Sequence, residues 1–190
     1  MSEQTDTMQK TLNGVNVDQL FETIGLIKED SEIAKFKFRN KNNWIDGGLN
    51  RSVISDFYGA KQEFTGRKFE LYNDEPPILL SNDKAPNPVE YILHGMAGCI
   101  TTTLVCHAAA RGIEVEEIET SFEGDIDLRG LLAMDKNVKP GYKEIRVNIN
   151  VKANCPEDEL RELVEFARNH SPVFNTVQNP VPVKLNINVQ

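Results

Sequence analysis

The segment NPVEYILHGMAGCITTTLVCHAAARGI, residues 87–113, constrains the fold more than any other part of the chain. Asn87 is a preferred N-cap residue, Pro88 suits the first helical position, and Glu90 is placed to complete a capping box. Gly112 is typical of a helix C-terminus. The segment therefore predicts one helix of roughly 24 residues, which is about 36 Å long and crosses a domain of this size.

The predicted helix carries apolar or small residues on nearly every side, and a helix of this kind is buried all round. Gly95, Ala97 and Gly98 remove side-chain bulk within one turn, so another backbone can approach closely there. A single domain with few helices has difficulty surrounding such a helix. We therefore expect a second copy of the chain to cover part of it in a homodimer.

The composition is that of an ordinary globular protein, because 39% of the 190 residues are hydrophobic and 26% are charged. One domain is expected for this length. The formal net charge of −8 argues against nucleic-acid binding, which needs a basic face to neutralise phosphates. The same charge disfavours an anionic lipid surface, and no run of about 18 apolar residues indicates a bilayer-spanning helix. We expect neither nucleic acid nor membrane as a partner.

The N-terminal residues lack the cationic start and apolar segment of a secretory signal, so we expect a cytoplasmic protein. Cys99, Cys106 and Cys155 are an odd and sparse set that does not indicate a disulfide framework. Cys99 and Cys106 lie about 10 Å apart along the predicted helix, beyond the roughly 7 Å between Cα atoms that a disulfide allows. The cysteines and histidines show no zinc-ligand spacing, so neither a metal nor another cofactor is expected.

The order of the other elements favours an α+β fold. An amphipathic helix with Asp18 as its N-cap precedes several strand-like segments, which include a turn at residues 46–48. Two alternating segments after the central helix predict antiparallel strands. A second helix then begins near Pro156, and residues 181–189 alternate as a final strand.

Three stretches together resemble the OsmC/Ohr family of stress-induced proteins: the central helix, its lead-in DEPPILLSNDKAP, and the later HSPVFNTVQNPVPVKLNINV. The resemblance is to a subgroup with an N-terminal helical extension. It implies that residues 1–35 are this extension, with a short amphipathic helix, and that residues 36–190 are an OsmC-like domain. The implied fold is α+β, with antiparallel sheets wrapped around long central helices in an intertwined homodimer whose active sites lie at the dimer interface.

In peroxidase members of this family, the cysteine that aligns with Cys99 is the peroxidatic thiolate, and a second cysteine resolves its sulfenic acid. Here the sequence HSPV places Ser171 at the resolving position, and a hydroxyl cannot form the disulfide. The resemblance implies a stress or redox protein that reduces small apolar hydroperoxides through Cys99 in a one-Cys cycle, with an external thiol as reductant. The alternative is a non-catalytic protein that binds an apolar small molecule in the dimer-interface pocket.

The resemblance also implies an arginine from the N-terminal sheet beside the thiolate, held by an acidic residue near the start of the central helix. A reactive cysteine needs such a positive partner because apolar surroundings disfavour a thiolate. Arg51 is the best match by context, and Arg39 and Arg67 are weaker candidates. Glu90 is the candidate acid. It follows Val89, which aligns with the family position, and its other interpretation is the capping box.

The histidines are further candidates for the pocket. His94 and His107 lie within the central helix, where each is either a pocket residue or a hydrogen-bonded core histidine, and His170 directly precedes Ser171. Cys155 stands near a helix N-terminus, which is a position that lowers a thiol pKa. Each cysteine has a second interpretation as a small buried hydrophobe.

Overall fold

The structure is a computed structural model that describes residues 10–189, and the statements below refer to that part of the chain. The helices are α1 (Val17–Glu29), α2 (Pro88–Arg111), α3 (Leu128–Leu131), α4 (Glu157–His170) and α5 (Pro172–Gln178). The strands are β1 (Thr11–Leu12), β2 (Val15–Asn16), β3 (Lys37–Phe38), β4 (Lys41–Asp46), β5 (Leu49–Ile54), β6 (Phe57–Gly59), β7 (Gln62–Phe64), β8 (Phe69–Asn73), β9 (Val115–Ile126) and β10 (Tyr142–Ala153).

All strand pairs in the described chain are antiparallel. β9 and β10 form a long ribbon, in which Phe122 pairs with Val147 and Ile118 pairs with Val151. β4, β5 and β8 form one three-stranded sheet, β3, β6 and β7 form another, and β1 pairs with β2. The predicted antiparallel pair after the central helix is confirmed.

α2 begins and ends where the sequence predicts. The Asn87 side chain accepts the Val89 N–H at 2.9 Å, and the Glu90 carboxylate accepts the Asn87 N–H at 2.8 Å, so both halves of the capping box are present. Gly112 follows the helix with a φ of 75°, the left-handed conformation that favours glycine. Local hydrogen bonds therefore define both ends.

α1 has a different cap from the predicted one. The Asn16 side chain accepts the Gln19 N–H at 3.0 Å, so Asn16, and not Asp18, is the N-cap. The division into an extension of residues 1–35 and a main domain of residues 36–190 stays a prediction, and the first part of that extension lies outside the described residues.

The core lies where α2 crosses α4. Its buried members are Leu104, Ala108, Ile113, Leu163 and Ala167. The apolar face of the β9–β10 ribbon packs against them, so the core is a layer of two helices covered by a ribbon.

Only one side of α2 is covered within a single chain. Met96, Ile100, Leu104 and Ala108 form a buried stripe at four-residue spacing. The expectation that the helix is buried all round is therefore not met by one chain, because His94, Gly98 and Thr102 form an exposed row.

α2 bears on the expectation that the chain has no membrane partner, which stays a prediction. An 18-residue window of this helix has a mean hydropathy of 1.3, so by length and composition α2 is long and apolar enough to cross a bilayer. This is weak support for a membrane location, because the core helix of a soluble protein passes the same test.

The predicted C-terminal strand is not formed in this chain. Residues 181–189 have no strand partner among the described residues. Its alternate residues are strongly exposed, with exposed fractions between 54% and 89%: Val181, Val183, Leu185, Ile187 and Val189. The strand pattern is present in the sequence, but its apolar face is not covered.

One contact that fixes the ribbon to α2 depends on a glycine. The Tyr142 hydroxyl donates a hydrogen bond to the Val89 carbonyl at 2.9 Å, while the Tyr142 ring lies against Gly124. A Cβ at residue 124 would lie 2.5 Å from Tyr142 Cε1. We predict that Gly124→Ala lowers the free energy of unfolding by about 1–3 kcal/mol, measured by urea denaturation, because the ring must move.

Gly25→Ala in α1 is the control. A new Cβ there meets no other part of the chain within 4 Å. The free energy of unfolding of this variant should equal that of the wild type or exceed it by up to about 1 kcal/mol, because alanine is the better helix former. A Gly124→Ala protein as stable as the wild type would contradict the close packing of Tyr142.

Candidate active site

Cys99 lies in the middle of α2, partly buried, where α5 crosses the helix. Its Sγ accepts a hydrogen bond from the Val173 backbone N–H, with 3.5 Å between nitrogen and sulfur. One turn earlier on the same face, a Cβ at Gly95 would lie 3.8 Å from Val173 Cγ1. The first turn of α5 therefore covers the face of α2 that carries the thiol.

Ser171, the predicted replacement for a resolving cysteine, is fully buried beside this contact. It ends α4 and is the N-cap of α5, since its hydroxyl oxygen accepts the Phe174 N–H at 3.4 Å. Val173, whose N–H contacts the Cys99 sulfur, follows Ser171 by two positions. The structure thus places the segment around Ser171 against Cys99, and the Ser171 hydroxyl forms a hydrogen bond that caps α5.

Two of the three candidate arginines are engaged elsewhere. The Arg39 guanidinium contacts Asp56 at 2.6 Å and Glu63 at 2.8 Å, and these carboxylates raise the pKa of Arg39 far above its ordinary value. The Arg67 guanidinium lies over the Phe57 ring, 4.6 Å from its centroid. The Arg67 Nε is buried with no hydrogen-bond partner among residues 10–189, and within one chain neither Arg39 nor Arg67 forms a hydrogen bond with Cys99.

Arg51 lies on β5, where its backbone pairs with Asn43 and Tyr72. Its guanidinium forms no hydrogen bond or ion pair with any of residues 10–189. The sheet that carries Arg51 does not pack broadly on α2 within one chain. The charge of Arg51 instead acts on Glu70, where it adds to the larger effect of Lys68 in lowering the pKa of that carboxyl, and the single chain does not bring Arg51 to Cys99.

Two acidic side chains lie at the start of α2. One is Glu90, and the other is Glu75, which is distant in the sequence and is not among the predicted site residues. Glu90 is exposed and serves the capping box. Glu75 accepts a hydrogen bond from the Asn87 side chain, and burial, with the nearby charges of Asp74 and Glu90, raises the pKa of Glu75. The lead-in DEPP carried this residue, but only the fold places it against the helix cap.

A cavity of about 390 Å³ lies between α2, β10 and α5, next to this site. Met96, one turn before Cys99, and Phe174, which follows Val173, both line it. Its other apolar lining residues are Ile145, Val147 and Val177. Tyr142, Lys143, Glu144 and Gln178 also line it, so the cavity is an open cleft with an apolar and a polar side, and its apolar side reaches the turn of α2 preceding the thiol.

The histidines lie away from this cavity. His94 is exposed and meets the Tyr91 ring edge-on, with 6.4 Å between centroids. His170 is exposed at the end of α4 and stacks on Phe166 at 3.9 Å, while His107 meets the same ring edge-on at 4.8 Å. Neither His94 nor His170 lines the 390 Å³ cavity in the described chain, so their pocket role stays a prediction.

Cys155 does not have the environment that its position in the sequence indicated. It packs against the core cluster, and burial, followed by the charge of Glu159, raises the pKa of Cys155. A helix N-terminus therefore does not activate this thiol. Within residues 10–189, no three His, Cys, Asp or Glu side chains are grouped to hold a metal ion.

The chain is similar to a described protein family and to two proteins named hydroperoxide reductase. A family model described as OsmC-like protein matches residues 81–186, more than half of the chain. The hydroperoxide reductases of Mycoplasma pneumoniae and Mycoplasma genitalium are similar to it, at 27% identity over 109 residues and 26% over 121 residues. These alignments cover 56% and 64% of this chain, and 72% and 81% of the relatives.

Solved structures confirm the fold class. The OsmC-like protein of Mycoplasma pneumoniae superposes with a TM-score of 0.59 at 19% identity, covering 81% of this chain and 96% of that one. An organic hydroperoxide resistance protein from Elizabethkingia anophelis gives a TM-score of 0.53 at 17% identity, covering 76% of this chain and 91% of that one. The α+β fold with antiparallel sheets and a long central helix is shared.

The cluster of His107, His170, Arg111 and Phe166 makes stability depend on pH. Burial lowers the pKa of His107 below its ordinary value, and the charges of His170 and Arg111 lower it further. The stability that neutral His107 contributes is therefore complete above the unfolded-state pKa of about 6.5 and is lost as the pH falls through the lower folded-state pKa. We predict a lower urea midpoint at pH 5.5 than at pH 7.5.

His107→Gln should show a smaller difference in urea midpoint between the two pH values than the wild type. His94→Gln is the matched control, because His94 lies on the same helix but contacts Tyr91 and not the cluster around His107, and it should keep the wild-type difference. A His107→Gln protein with the full wild-type pH dependence would refute the assignment.

Proposed function

Because this chain belongs to the OsmC-like protein family, we propose that it is a stress-related redox protein whose Cys99 thiol reduces organic hydroperoxides in a one-Cys cycle. The observation that carries the proposal is the Cys99 sulfur, which accepts an N–H from Val173 next to the apolar side of an open cleft. An apolar surface of this kind suits a small apolar hydroperoxide. The names of the two Mycoplasma relatives support the same chemistry.

The cycle needs two half-reactions. The Cys99 thiolate attacks the terminal peroxide oxygen, so an S–O bond forms, the O–O bond breaks, and the alcohol leaves after taking up a proton. An external thiol then attacks the sulfenic sulfur and releases water, and a second external thiol displaces Cys99 from the mixed disulfide. Ser171 cannot replace the external thiol, since a hydroxyl forms no disulfide.

A second copy of the chain completes the site in this proposal. Within residues 10–189 the Arg51 guanidinium forms no hydrogen bond and its charge acts only at longer range on Glu70, and α2 has an exposed face. In an intertwined homodimer, the sheet of one subunit covers α2 of the other, and Arg51 supplies the positive charge that a thiolate requires. Glu90, or its neighbour Glu75, holds that arginine.

The C-terminal residues 181–189 supply an independent reason for the homodimer. Their exposed apolar residues alternate with Pro182, Lys184, Asn186 and Asn188, the pattern of a strand with one buried face. A strand on the edge of a sheet in a second subunit would bury that face.

We predict that Leu185→Asp weakens the dimer, because it places a charge on the apolar face of this strand. Asn186→Asp is the matched control, since residue 186 points to the other face of an extended segment. In sedimentation-velocity runs at micromolar concentration, the wild type and Asn186→Asp should be dimers, and Leu185→Asp should shift to monomer. A wild-type protein that sediments as a monomer would contradict the proposed homodimer.

We predict that Cys99→Ser reduces cumene hydroperoxide consumption, measured with dithiothreitol as reductant, to the rate without protein. Cys106→Ser and Cys155→Ser should consume peroxide as the wild type does, because neither thiol takes part in the cycle. Full activity in Cys99→Ser would overturn the proposal.

The alternative is a non-catalytic protein that holds an apolar small molecule in the cavity beside Cys99. The volume of about 390 Å³ and the apolar side of the cleft, formed by Met96, Val147 and Phe174 among others, favour this second function. Native mass spectrometry that finds a co-purified apolar ligand, together with a Cys99 thiol inert to peroxide, would support binding over catalysis. A cytoplasmic location, and a cycle that needs no cofactor, remain predictions.

A further inference from the structure

We propose that Ser171 is a positioning residue that holds the Val173 N–H against the Cys99 sulfur. The catalytic importance of this contact rests on the proposed peroxidase function, but the contact itself does not. Ser171 touches neither substrate nor the reacting sulfur in this role, because it acts through the backbone of α5. The residue at the resolving position would thus support the thiolate without exchanging electrons with it.

The hydrogen bonds around Ser171 tie the first turn of α5 in place. Its hydroxyl accepts the Phe174 N–H at 3.4 Å. Its carbonyl accepts two hydrogen bonds from Asn175, from the backbone N–H at 3.0 Å and from the side chain at 2.9 Å. Since the Ser171 side chain is fully buried, water does not compete for these bonds.

The arrangement leaves one donor for the sulfur. Pro172 has no N–H, and the Phe174 and Asn175 N–H groups are both taken by Ser171. The Val173 N–H lies between Pro172 and Phe174 and donates to Cys99 Sγ at 3.5 Å. Its position therefore depends on how firmly Ser171 holds Phe174 and Asn175, which directly follow Val173.

A hydrogen bond donated to sulfur favours the thiolate over the thiol, because the charged form is the stronger acceptor. Removing the Ser171 hydroxyl releases the Phe174 N–H and loosens the turn that carries Val173. A cysteine at residue 171 would be a weaker cap, since sulfur is a weak acceptor. Compared with a cysteine at this position, Ser171 is therefore a better helix cap but cannot act as a resolving thiol.

The test is the pH profile of Cys99 alkylation by iodoacetamide under reducing conditions, with peptide mapping to isolate this thiol. We expect Ser171→Ala to alkylate Cys99 roughly threefold to tenfold more slowly than the wild type at neutral pH, with its half-maximal pH shifted upward. Ser171→Thr keeps the capping hydroxyl and should retain the wild-type profile. An unchanged profile in Ser171→Ala would overturn the proposal.

Ser171→Cys is the second test variant in case Ser171→Ala does not fold, because cysteine is similar in size to serine. Its Cys99 profile should also shift upward, and a wild-type profile would overturn the proposal. Alkylation requires no peroxide, so the two proposals fail separately. A shifted profile in a protein that consumes no peroxide would sink the peroxidase function alone, whereas normal turnover with unshifted variants would sink the role of Ser171 alone.

Discussion

The packing of α2 against α4 determines where the candidate site can form. Leu104 and Ala108 meet Leu163 and Ala167 in a fully buried contact, so neither helix can slide along the other. α4 ends next to α2, and the chain turns at the buried Ser171 to begin α5. The contact between α5 and the cysteine therefore depends on a core that lies further along the same two helices.

Features set by local hydrogen bonds could be predicted from the sequence. The capping box at Asn87 and the left-handed Gly112 each involve residues close in the chain, and both ends of α2 are as predicted. The β9–β10 ribbon was likewise predicted, because alternation over a long segment determines which face is buried. The family resemblance then added Cys99 as the candidate nucleophile.

Features that depend on tertiary contacts could not be predicted in this way. Cys155 precedes a helix, but the core buries it and raises its pKa, which the sequence does not reveal. From the sequence, Ser171 is identifiable only as the residue that stands in place of a resolving cysteine. Its capping hydrogen bond cannot be predicted without knowing where α5 begins. The strand pattern of residues 181–189 was recognised, yet its pairing needs a surface that the single chain does not provide.

The central claim is that Cys99 is a reactive thiol, not a packing residue. Brief exposure of the wild-type protein to one equivalent of cumene hydroperoxide with dimedone present, followed by intact-protein mass spectrometry and peptide mapping, tests it most directly. We predict a single dimedone adduct on Cys99, because the peroxide converts this thiol to a sulfenic acid. Three unmodified cysteines after the same exposure would contradict the claim.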